Sequence, residues 1–263
     1  MNKAILISID GMRPDGFLNC GNPFAREMME RGSYTLTAKT VIPSVTLPCH
    51  TSMFHSVPPE RHGISTNIYT PQVRPINGLC EQIAALKGRS AMFYGWEPLR
   101  DIARPGSLKY AAYLNAMSED NTDASLTEMA LSCIETRHPD FVFLYLVETD
   151  EKGGHPCGWM SEGYLACISK ALDCVKKVMD RRYPEYSVIV TADHGGHNRS
   201  HGTEMPEDMT IPMFFFGEGF TPGKELSGVS ILDIAPTVAD VMGVPAADEW
   251  EGHSLRESNE NET

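Results

Sequence analysis

Three short apolar runs in this chain each lead into an aspartate. The runs are residues 4–9, 141–147 and 187–191, and the aspartates that follow them are Asp10, Asp150 and Asp193. Apolar runs of this length are typical of buried strands, and the stretch after the second run repeats its apolar residues at a helical period. This alternation predicts an α/β fold with a mostly parallel central sheet flanked by helices.

The three aspartates are expected to lie at one edge of that sheet. Parallel strands end on the same side, and open α/β folds place their binding sites there. Carboxylates that approach one another raise each other's pKa, which disfavours their charged forms. Because a bound cation removes this repulsion, the pattern predicts a metal site at the carboxyl ends of the strands.

Histidines follow two of these aspartates closely. The candidates are His155, His194, His197 and His201. A mixture of carboxylate and imidazole ligands suits Zn²⁺, with Mn²⁺ or Fe²⁺ as alternatives. About six ligands exceed the needs of one tetrahedral zinc ion, so the set favours two metals about 3.5–4 Å apart. Each residue alone is better explained as a loop or surface residue, and only the whole set indicates a metal centre.

A threonine stands at the predicted start of a helix in the segment PSVTLPCH, residues 43–50. We expect Thr46 to be the N-cap, because a proline two positions later is tolerated in the first helical turn. The free amides and the positive end of the helix dipole favour an anion at this position. Activated by a metal, the Thr46 hydroxyl would be a nucleophile. An ordinary helix cap is the alternative for the motif taken alone.

The length of the chain suits one large domain. It has 263 residues and a mass of 29.1 kDa, close to the size at which single hydrophobic cores stop growing. We predict a single α/β domain over residues 1–256, followed by an acidic tail, residues 257–263, that frays. Residues 68–123 are rich in proline, glycine and aromatic side chains. We expect them to form a small cap beside the main sheet and one wall of a substrate cleft.

The net charge, the apolar runs and the cysteine content disfavour several classes of protein. The formal net charge of −13 disfavours a nucleic-acid-binding scaffold. No apolar run approaches the roughly 20 residues that span a bilayer, and the apolar run near the N-terminus is short for a signal peptide. The seven cysteines form no CxxC pair, which favours free thiols in a reducing compartment. We therefore expect a soluble cytoplasmic protein without a membrane partner.

Several short motifs occur together in a particular order along the chain. They are Asp10-Gly11, Thr46-Leu47-Pro48-Cys49-His50, His62-Gly63-Ile64 with Asn67, Asp193-His194-Gly195 and Asp233-Ile234-Ala235-Pro236-Thr237. Each motif is weak alone, but the set resembles the alkaline phosphatase superfamily and, within it, the nucleotide pyrophosphatase/phosphodiesterase branch. The resemblance covers nearly the whole chain. It implies the α/β fold of that superfamily and two bound zinc ions.

The resemblance also implies roles for individual residues around the first zinc ion. Asp10, Asp193 and His194 would hold this ion, with Thr46 alongside as the nucleophile. Asn67 matches the family asparagine whose side chain donates to a phosphate oxygen.

Asp150, His155 and His201 would hold the second zinc ion. The family pattern is aspartate, two residues, glycine, histidine, whereas one extra residue separates Asp150 from His155 here. His197 is an alternative to His201, which we prefer because His-Gly-Thr resembles the family's third ligand. The middle segment is short for this branch, so substrate specificity does not carry over.

These features together predict a two-metal hydrolase of phosphodiester or pyrophosphate bonds that forms a covalent phosphothreonine. Thr46 would attack phosphorus, and Asn67 and the Leu47 amide would hold the non-bridging oxygens. Tyr69 or Trp96 could stack on a nucleobase. The expected partner is a small phosphorylated substrate, with a nucleotide as one candidate.

Four alternatives remain open at the level of sequence. A phosphonate hydrolase or a phosphomonoesterase would use the same metal site. A thiol hydrolase built on Cys49 and His50 is less favoured, because adjacent residues rarely present both side chains to one substrate. A metal-binding protein without catalytic activity is the last alternative.

Overall fold

The computed structural model describes residues 1–257, and a seven-stranded sheet runs through its centre. The strands are β1 (Ala4–Ile9), β2 (Ser33–Lys39), β3 (Ser90–Tyr94), β4 (Leu108–Tyr113), β5 (Phe141–Leu146), β6 (Ser187–Thr191) and β7 (Thr210–Phe216). Their order across the sheet is β2-β7-β6-β1-β5-β3-β4. β7 runs antiparallel to both of its neighbours, and the other pairings are parallel. The predicted α/β fold with a mostly parallel sheet is confirmed.

Helices cover both faces of the sheet. They are α1 (Pro14–Asn19), α2 (Phe24–Arg31), α3 (Thr46–His55), α4 (Pro59–His62), α5 (Leu79–Ala85), α6 (Thr122–Arg137), α7 (His155–Cys157), α8 (Glu162–Arg182), α9 (Pro206–Met209) and α10 (Ile234–Met242). α8 packs against α1, α2 and α6, whereas α10 packs against α3 and α5. Every residue of β1 and β5 is buried. Continuous burial of this kind is expected only where a parallel sheet is covered on both sides.

The central strands match the apolar runs of the sequence. β1 and β6 have the predicted bounds, and β5 ends one residue earlier than predicted, at Leu146. β6, β1 and β5 are consecutive in the sheet, with Ile9 level with Leu146 and Ser8 level with Thr191. The three aspartates that follow these strands therefore leave the sheet at one edge, side by side.

The segment 68–123 differs from the expected cap. β3 and β4 lie inside it, and both belong to the central sheet rather than to a body beside it. The expectation failed because the short apolar run of β3 and the alternating pattern of β4 stand among proline and glycine residues. Two parts of the segment, the irregular stretch before α5 and residues 101–104, line a cavity beside α3.

The predicted tail lies outside the described residues except for its first member. Glu257 accepts hydrogen bonds from Thr221 and Lys224, and its amide donates to the Gly219 carbonyl. Within residues 1–257, none of the helices combines the length and the apolar character needed to cross a bilayer.

Candidate metal centre

The carboxylates of Asp10, Asp150 and Asp193 converge at the carboxyl ends of β1, β5 and β6. All three side chains are almost fully buried. Asp10 and Asp193 form one potential metal-binding group with His194, and Asp150 forms a second with His194 and His201. Within each group the potential ligand atoms lie within 4.8 Å of one another. Two adjacent groups that share a histidine are consistent with space for two cations.

Each of these carboxylates has one oxygen without a protein partner. Asp193 accepts hydrogen bonds from the Gly11 and His194 amides at Oδ1, whereas its Oδ2 has no partner. Asp10 Oδ1 and Asp150 Oδ1 are likewise buried without a partner. Buried carboxylate oxygens are costly to leave unpaired. These oxygens therefore fit a divalent cation, which would compensate them.

The histidines complete the two groups. His194 Nε2 lies 3.4 Å from Asp10 Oδ1 and 3.4 Å from Asp193 Oδ2. His201 Nε2 lies 4.0 Å from Asp150 Oδ1, and its ring stacks on that of His194 with centroids 3.9 Å apart. Backbone carbonyls bond the Nδ1 atoms of both rings, so each ring turns Nε2 towards the carboxylates. Fixing one ring nitrogen in this way is how proteins orient an imidazole ligand.

A π-helical turn, Thr149–Gly154, explains the unusual spacing between Asp150 and His155. The amide of His155 bonds the carbonyl of Asp150, five residues earlier. This wider turn brings residues five apart to the same side of the helix, whereas an α-helix does so at four. His155 Nε2 consequently lies 3.2 Å from Asp150 Oδ2 despite the extra residue.

His197 points away from the carboxylates. Its Nδ1 lies 2.7 Å from Oδ1 of the buried Asp208. A tight turn places Ser200 opposite His197, and the next residue, His201, reaches Asp150. The geometry thus supports the choice of His201 over His197.

Burial and mutual repulsion shift the pKa values of the aspartates. Burial, followed by the charges of Asp193 and Asp150, raises the pKa of Asp10 well above its ordinary value. Burial also raises the pKa of Asp193. For Asp150 burial acts in the same direction, but a hydrogen bond from His155 and the nearby His194 lower the pKa overall. A cation would replace protons at this centre and keep the carboxylates charged.

The pKa values of the histidines shift in two directions. Burial lowers the pKa of His194, and burial together with His194 lowers that of His201 to about 4. Both rings are therefore neutral at physiological pH, which is the form that binds metal. His155 is partly exposed, and its hydrogen bond with Asp150 raises its pKa to about 9.

Thr46 lies beside the first group, at the start of α3. It occupies the first helical position rather than the N-cap, which is Val45. The prediction of the cap residue was wrong by one position, because Val45 has no side-chain hydrogen bond to the helix that would mark it. Thr46 Oγ1 lies 3.2 Å from His194 Nε2. The hydroxyl is thus next to the potential ligands and at the positive end of the helix dipole.

A buried histidine outside the set of candidate ligands supports this helix. His50 Nδ1 lies 2.8 Å from the Thr46 carbonyl, and its Nε2 lies 3.0 Å from Ser8 Oγ in β1. His50 therefore links the start of α3 to the central strand. Its neighbour Cys49 is fully buried, and burial raises the pKa of this thiol. A buried neutral thiol is a poor nucleophile, which disfavours the Cys49 and His50 hydrolase.

Asn67 reaches the start of α3 from the loop after α4. The Leu47 amide donates to Asn67 Oδ1 at 3.0 Å, so this amide is already paired. The expectation that Leu47 also holds a substrate oxygen is not supported in this arrangement. The hydrogen bond from Leu47 uses only Oδ1 of Asn67. The Nδ2 group of the same amide can therefore still donate to another acceptor.

A cavity of about 220 Å³ adjoins Leu47, along one face of α3. Its lining includes Leu47, Thr51, His55, Ile64, Tyr69 and Arg104. Tyr69 thus shares this cavity with Leu47, the residue after Thr46, whereas Thr46 itself is not among the lining residues. Trp96 is not among the lining residues, and its half-buried side chain packs against the hydrophobic core. The structure does not support Trp96 as a stacking surface in this cavity.

Two aromatic residues that belong to none of the sequence motifs pack against the candidate metal ligands. Trp159 packs against the rings of His155 and His201, and its Nε1 donates to the Gly11 carbonyl. Tyr145 in β5 donates a hydrogen bond to Asp10 Oδ2. No local pattern in the sequence identifies these residues, because their role depends on which strands and loops become neighbours.

Sequence comparison assigns most of the chain to one family. Residues 4–205 match the model of the type I phosphodiesterase / nucleotide pyrophosphatase family. A phosphopentomutase from Symbiobacterium thermophilum is 30% identical over 125 residues, covering 47% of this chain and 31% of that protein. Human ectonucleotide pyrophosphatase/phosphodiesterase family member 1 is 25% identical over 219 residues, covering 73% of this chain and 23% of that protein. The chain thus matches less than a third of the length of either relative.

Solved structures share the fold over almost the whole chain. Murine ectonucleotide pyrophosphatase/phosphodiesterase 5, an inactive threonine-to-alanine form in complex with AMP, has a TM-score of 0.78 at 14% identity, covering 94% of this chain and 96% of that one. A phosphonate monoester hydrolase from Silicibacter pomeroyi has a TM-score of 0.76 at 14% identity, covering 99% and 78%. The family match and the shared architecture agree with the resemblance found in the motifs. The chain belongs to the type I phosphodiesterase / nucleotide pyrophosphatase family, within the alkaline phosphatase superfamily.

Proposed function

We propose that this chain is a two-metal hydrolase that cleaves phosphodiester or pyrophosphate bonds through a covalent phosphothreonine. The observation that carries the proposal is the set of three buried, unpartnered carboxylate oxygens grouped with His194, whose Nε2 lies 3.2 Å from Thr46 Oγ1. A carboxylate and imidazole cluster beside a hydroxyl at a helix start has the components needed for phosphoryl transfer.

The residues divide into two sets of ligands. Asp10, Asp193, His194 and the Thr46 hydroxyl would hold one zinc ion. The second set consists of Asp150, His155 and His201. Mn²⁺ or Fe²⁺ would suit the same donors. When bound, the two cations supply positive charge that acidifies a hydroxyl or a water and neutralises the reacting phosphoryl group.

The side chains of this protein would then position and attack the substrate. Thr46 Oγ1 loses its proton and attacks phosphorus in line, which forms the phosphothreonine and breaks the bond to the leaving oxygen. The leaving group takes up a proton. Asn67 Nδ2 donates to a non-bridging oxygen, while the Leu47 amide holds Asn67 in place. Water then attacks phosphorus, and the bond to Thr46 breaks.

The charges around Thr46 favour a diester or a pyrophosphate over a monoester. A phosphomonoester carries more negative charge and gains from an additional cation beside its oxygens. Arg13 lies near the centre, but its guanidinium is bonded to Asp15 and to the Gly196 carbonyl. It is therefore already paired. A phosphonate monoester carries one negative charge, as a phosphodiester does, and fits the same reasoning. The shared fold with a phosphonate monoester hydrolase keeps phosphonate hydrolysis as the second candidate.

A nucleotide is the substrate class that the cavity beside Leu47 suits best. Leu47, the residue after the proposed nucleophile, lines this cavity together with Ile64 and Tyr69, and an aromatic side chain can stack on a base. The AMP complex of the murine relative supports this choice. All seven cysteines are free thiols, which supports the predicted cytoplasmic location.

Replacing Thr46 tests the nucleophile. We expect Thr46→Ala to lower kcat on bis(p-nitrophenyl) phosphate by at least about a thousandfold, because no other group would form the covalent intermediate. Its zinc content should stay at the wild-type level. Thr127→Ala is the matched control, since Thr127 is another buried helical threonine, and its hydroxyl donates to the Asp123 carbonyl in α6. Full activity in Thr46→Ala would refute the nucleophile assignment.

A substrate panel tests the bond that is cleaved. The panel is bis(p-nitrophenyl) phosphate, p-nitrophenyl phosphate, p-nitrophenyl sulfate and a phosphonate ester. We expect the highest kcat/KM for the diester. Preference for the monoester would overturn the diesterase assignment, and preference for the phosphonate would favour the second candidate. Zinc binding without hydrolysis of any member would indicate a metal-binding protein that is not an enzyme.

A further inference from the structure

Tyr145 is a fully buried tyrosine beneath the candidate metal centre. It lies in β5, level with Ser8 of the neighbouring strand β1. Its hydroxyl donates a hydrogen bond to Oδ2 of Asp10, two residues beyond Ser8. The phenol thus reaches along the sheet to the first of the three aspartates.

Because of this hydrogen bond, the two carboxylate oxygens of Asp10 have different surroundings. Oδ2 is held by the phenol, whereas Oδ1 has no partner and lies 3.4 Å from His194 Nε2. Asp193 shows the same division, but there backbone amides hold the bonded oxygen. Tyr145 provides for Asp10, through a side chain, what the backbone provides for Asp193.

A tyrosine is chemically suited to this position. It is protonated at neutral pH and donates without carrying a positive charge. A lysine or arginine here would neutralise the carboxylate and compete with a metal. The ring of His50 packs edge-on against the Tyr145 ring, with centroids 5.1 Å apart. His50 also contacts Ser8 and Thr46, so the phenol is held in one orientation.

We propose that Tyr145 is a positioning residue of the metal centre, which holds Asp10 so that Oδ1 faces the cation. The inference rests on the proposed function, because it requires a metal at Asp10, Asp193 and His194. Hydrogen-bond partners of metal ligands commonly contribute 10-fold to 100-fold to metal affinity. Loss of the Tyr145 hydroxyl should weaken the site that includes Asp10, and leave the Asp150 site unchanged.

Tyr145→Phe tests this role, with Tyr186→Phe as the matched control. Tyr186 is also fully buried, and its hydroxyl donates to the Pro139 carbonyl near the opposite edge of the sheet. Zinc is titrated into the metal-free proteins against a chromophoric chelator. We expect two sites in the wild type and in Tyr186→Phe. In Tyr145→Phe one dissociation constant should rise 10-fold to 100-fold while the other stays constant.

The possible results separate this inference from the proposed function. If both zinc dissociation constants of Tyr145→Phe equal those of the wild type, the proposed role of Tyr145 is overturned and the proposed function stays intact. A wild-type protein that binds no zinc would instead contradict the proposed function. Visible absorption of the cobalt-substituted proteins gives a second readout on folded material. An unchanged cobalt spectrum in Tyr145→Phe would also overturn the proposal, and an altered one that Tyr186→Phe does not share would support it.

Discussion

His197 and His201 lie four residues apart, yet the structure gives them different partners. His197 bonds Asp208, whereas His201 faces Asp150 and stacks on His194. Their spacing alone does not distinguish them, because both follow a glycine or serine in a polar turn. The outcome depends on the tight turn that places His197 opposite Ser200.

Alanine substitution of each histidine separates a ligand from a neighbour. We expect His201→Ala to lose one of the two zinc sites, with kcat on bis(p-nitrophenyl) phosphate reduced at least a hundredfold. His197→Ala should keep both sites, because His197 points towards Asp208. Zinc titration and steady-state kinetics measure the two effects. Loss of a zinc site in His197→Ala, with retention in His201→Ala, would reverse the assignment.

Among single residues, the sequence indicates the candidate ligands more clearly than the residues that support them. The aspartates and histidines were found because strand ends and ligand chemistry leave a visible pattern. Tyr145 and His50 were not assigned these supporting roles. Their contacts with Asp10 and Thr46 join β5, β1 and α3, which are far apart in the chain. Such contacts follow from topology and not from local sequence.

Two elements meet at another buried carboxylate, Asp123, near the start of α6. Its Oδ1 accepts the amide of Val147, just beyond the end of β5. Burial, followed by the charge of Glu148, raises the pKa of Asp123 to about 8. The folded state therefore binds this proton more tightly than the unfolded state, whose value is near 3.8.

The stability of the chain should consequently depend on pH through Asp123. Protonated Asp123 stabilises the folded state. This stabilisation is fully present below the unfolded pKa and is lost as pH rises towards the folded pKa of about 8. Asp123→Asn cannot ionise, so we expect its urea midpoint to fall less than that of the wild type between pH 5 and pH 8.5. The difference should be on the order of 1 kcal/mol or more in unfolding free energy. Parallel pH profiles for the two proteins would contradict this assignment.

The π-helical turn is the element that the sequence indicated least clearly. The pattern showed one residue too many between Asp150 and His155. The structure accommodates it within the turn rather than by a bulge outside the site. Gly154 is required there, since a Cβ at this position would lie 2.6 Å from the ring of Trp159. The glycine and the tryptophan together allow the wider turn to pack behind the centre.

Across the whole molecule, the fold class could be predicted from the sequence, whereas the order of the strands could not. The alternation of apolar runs indicated the α/β class, and it located β1, β5 and β6 closely. The order β2-β7-β6-β1-β5-β3-β4 and the antiparallel direction of β7 had no local signal. The sequence predicts a cap over residues 68–123, because β3 and β4 are short and lie between irregular loops.

We propose an arrangement in which residues scattered over this molecule assemble two cation sites at one sheet edge. It is tested most directly by the metal content of the purified chain, measured by mass spectrometry after exposure to zinc and gel filtration. We expect two zinc ions per wild-type chain, and close to one in Asp10→Asn and in Asp150→Asn. Less than one zinc ion in the wild type, or an unchanged content in both variants, would contradict the account.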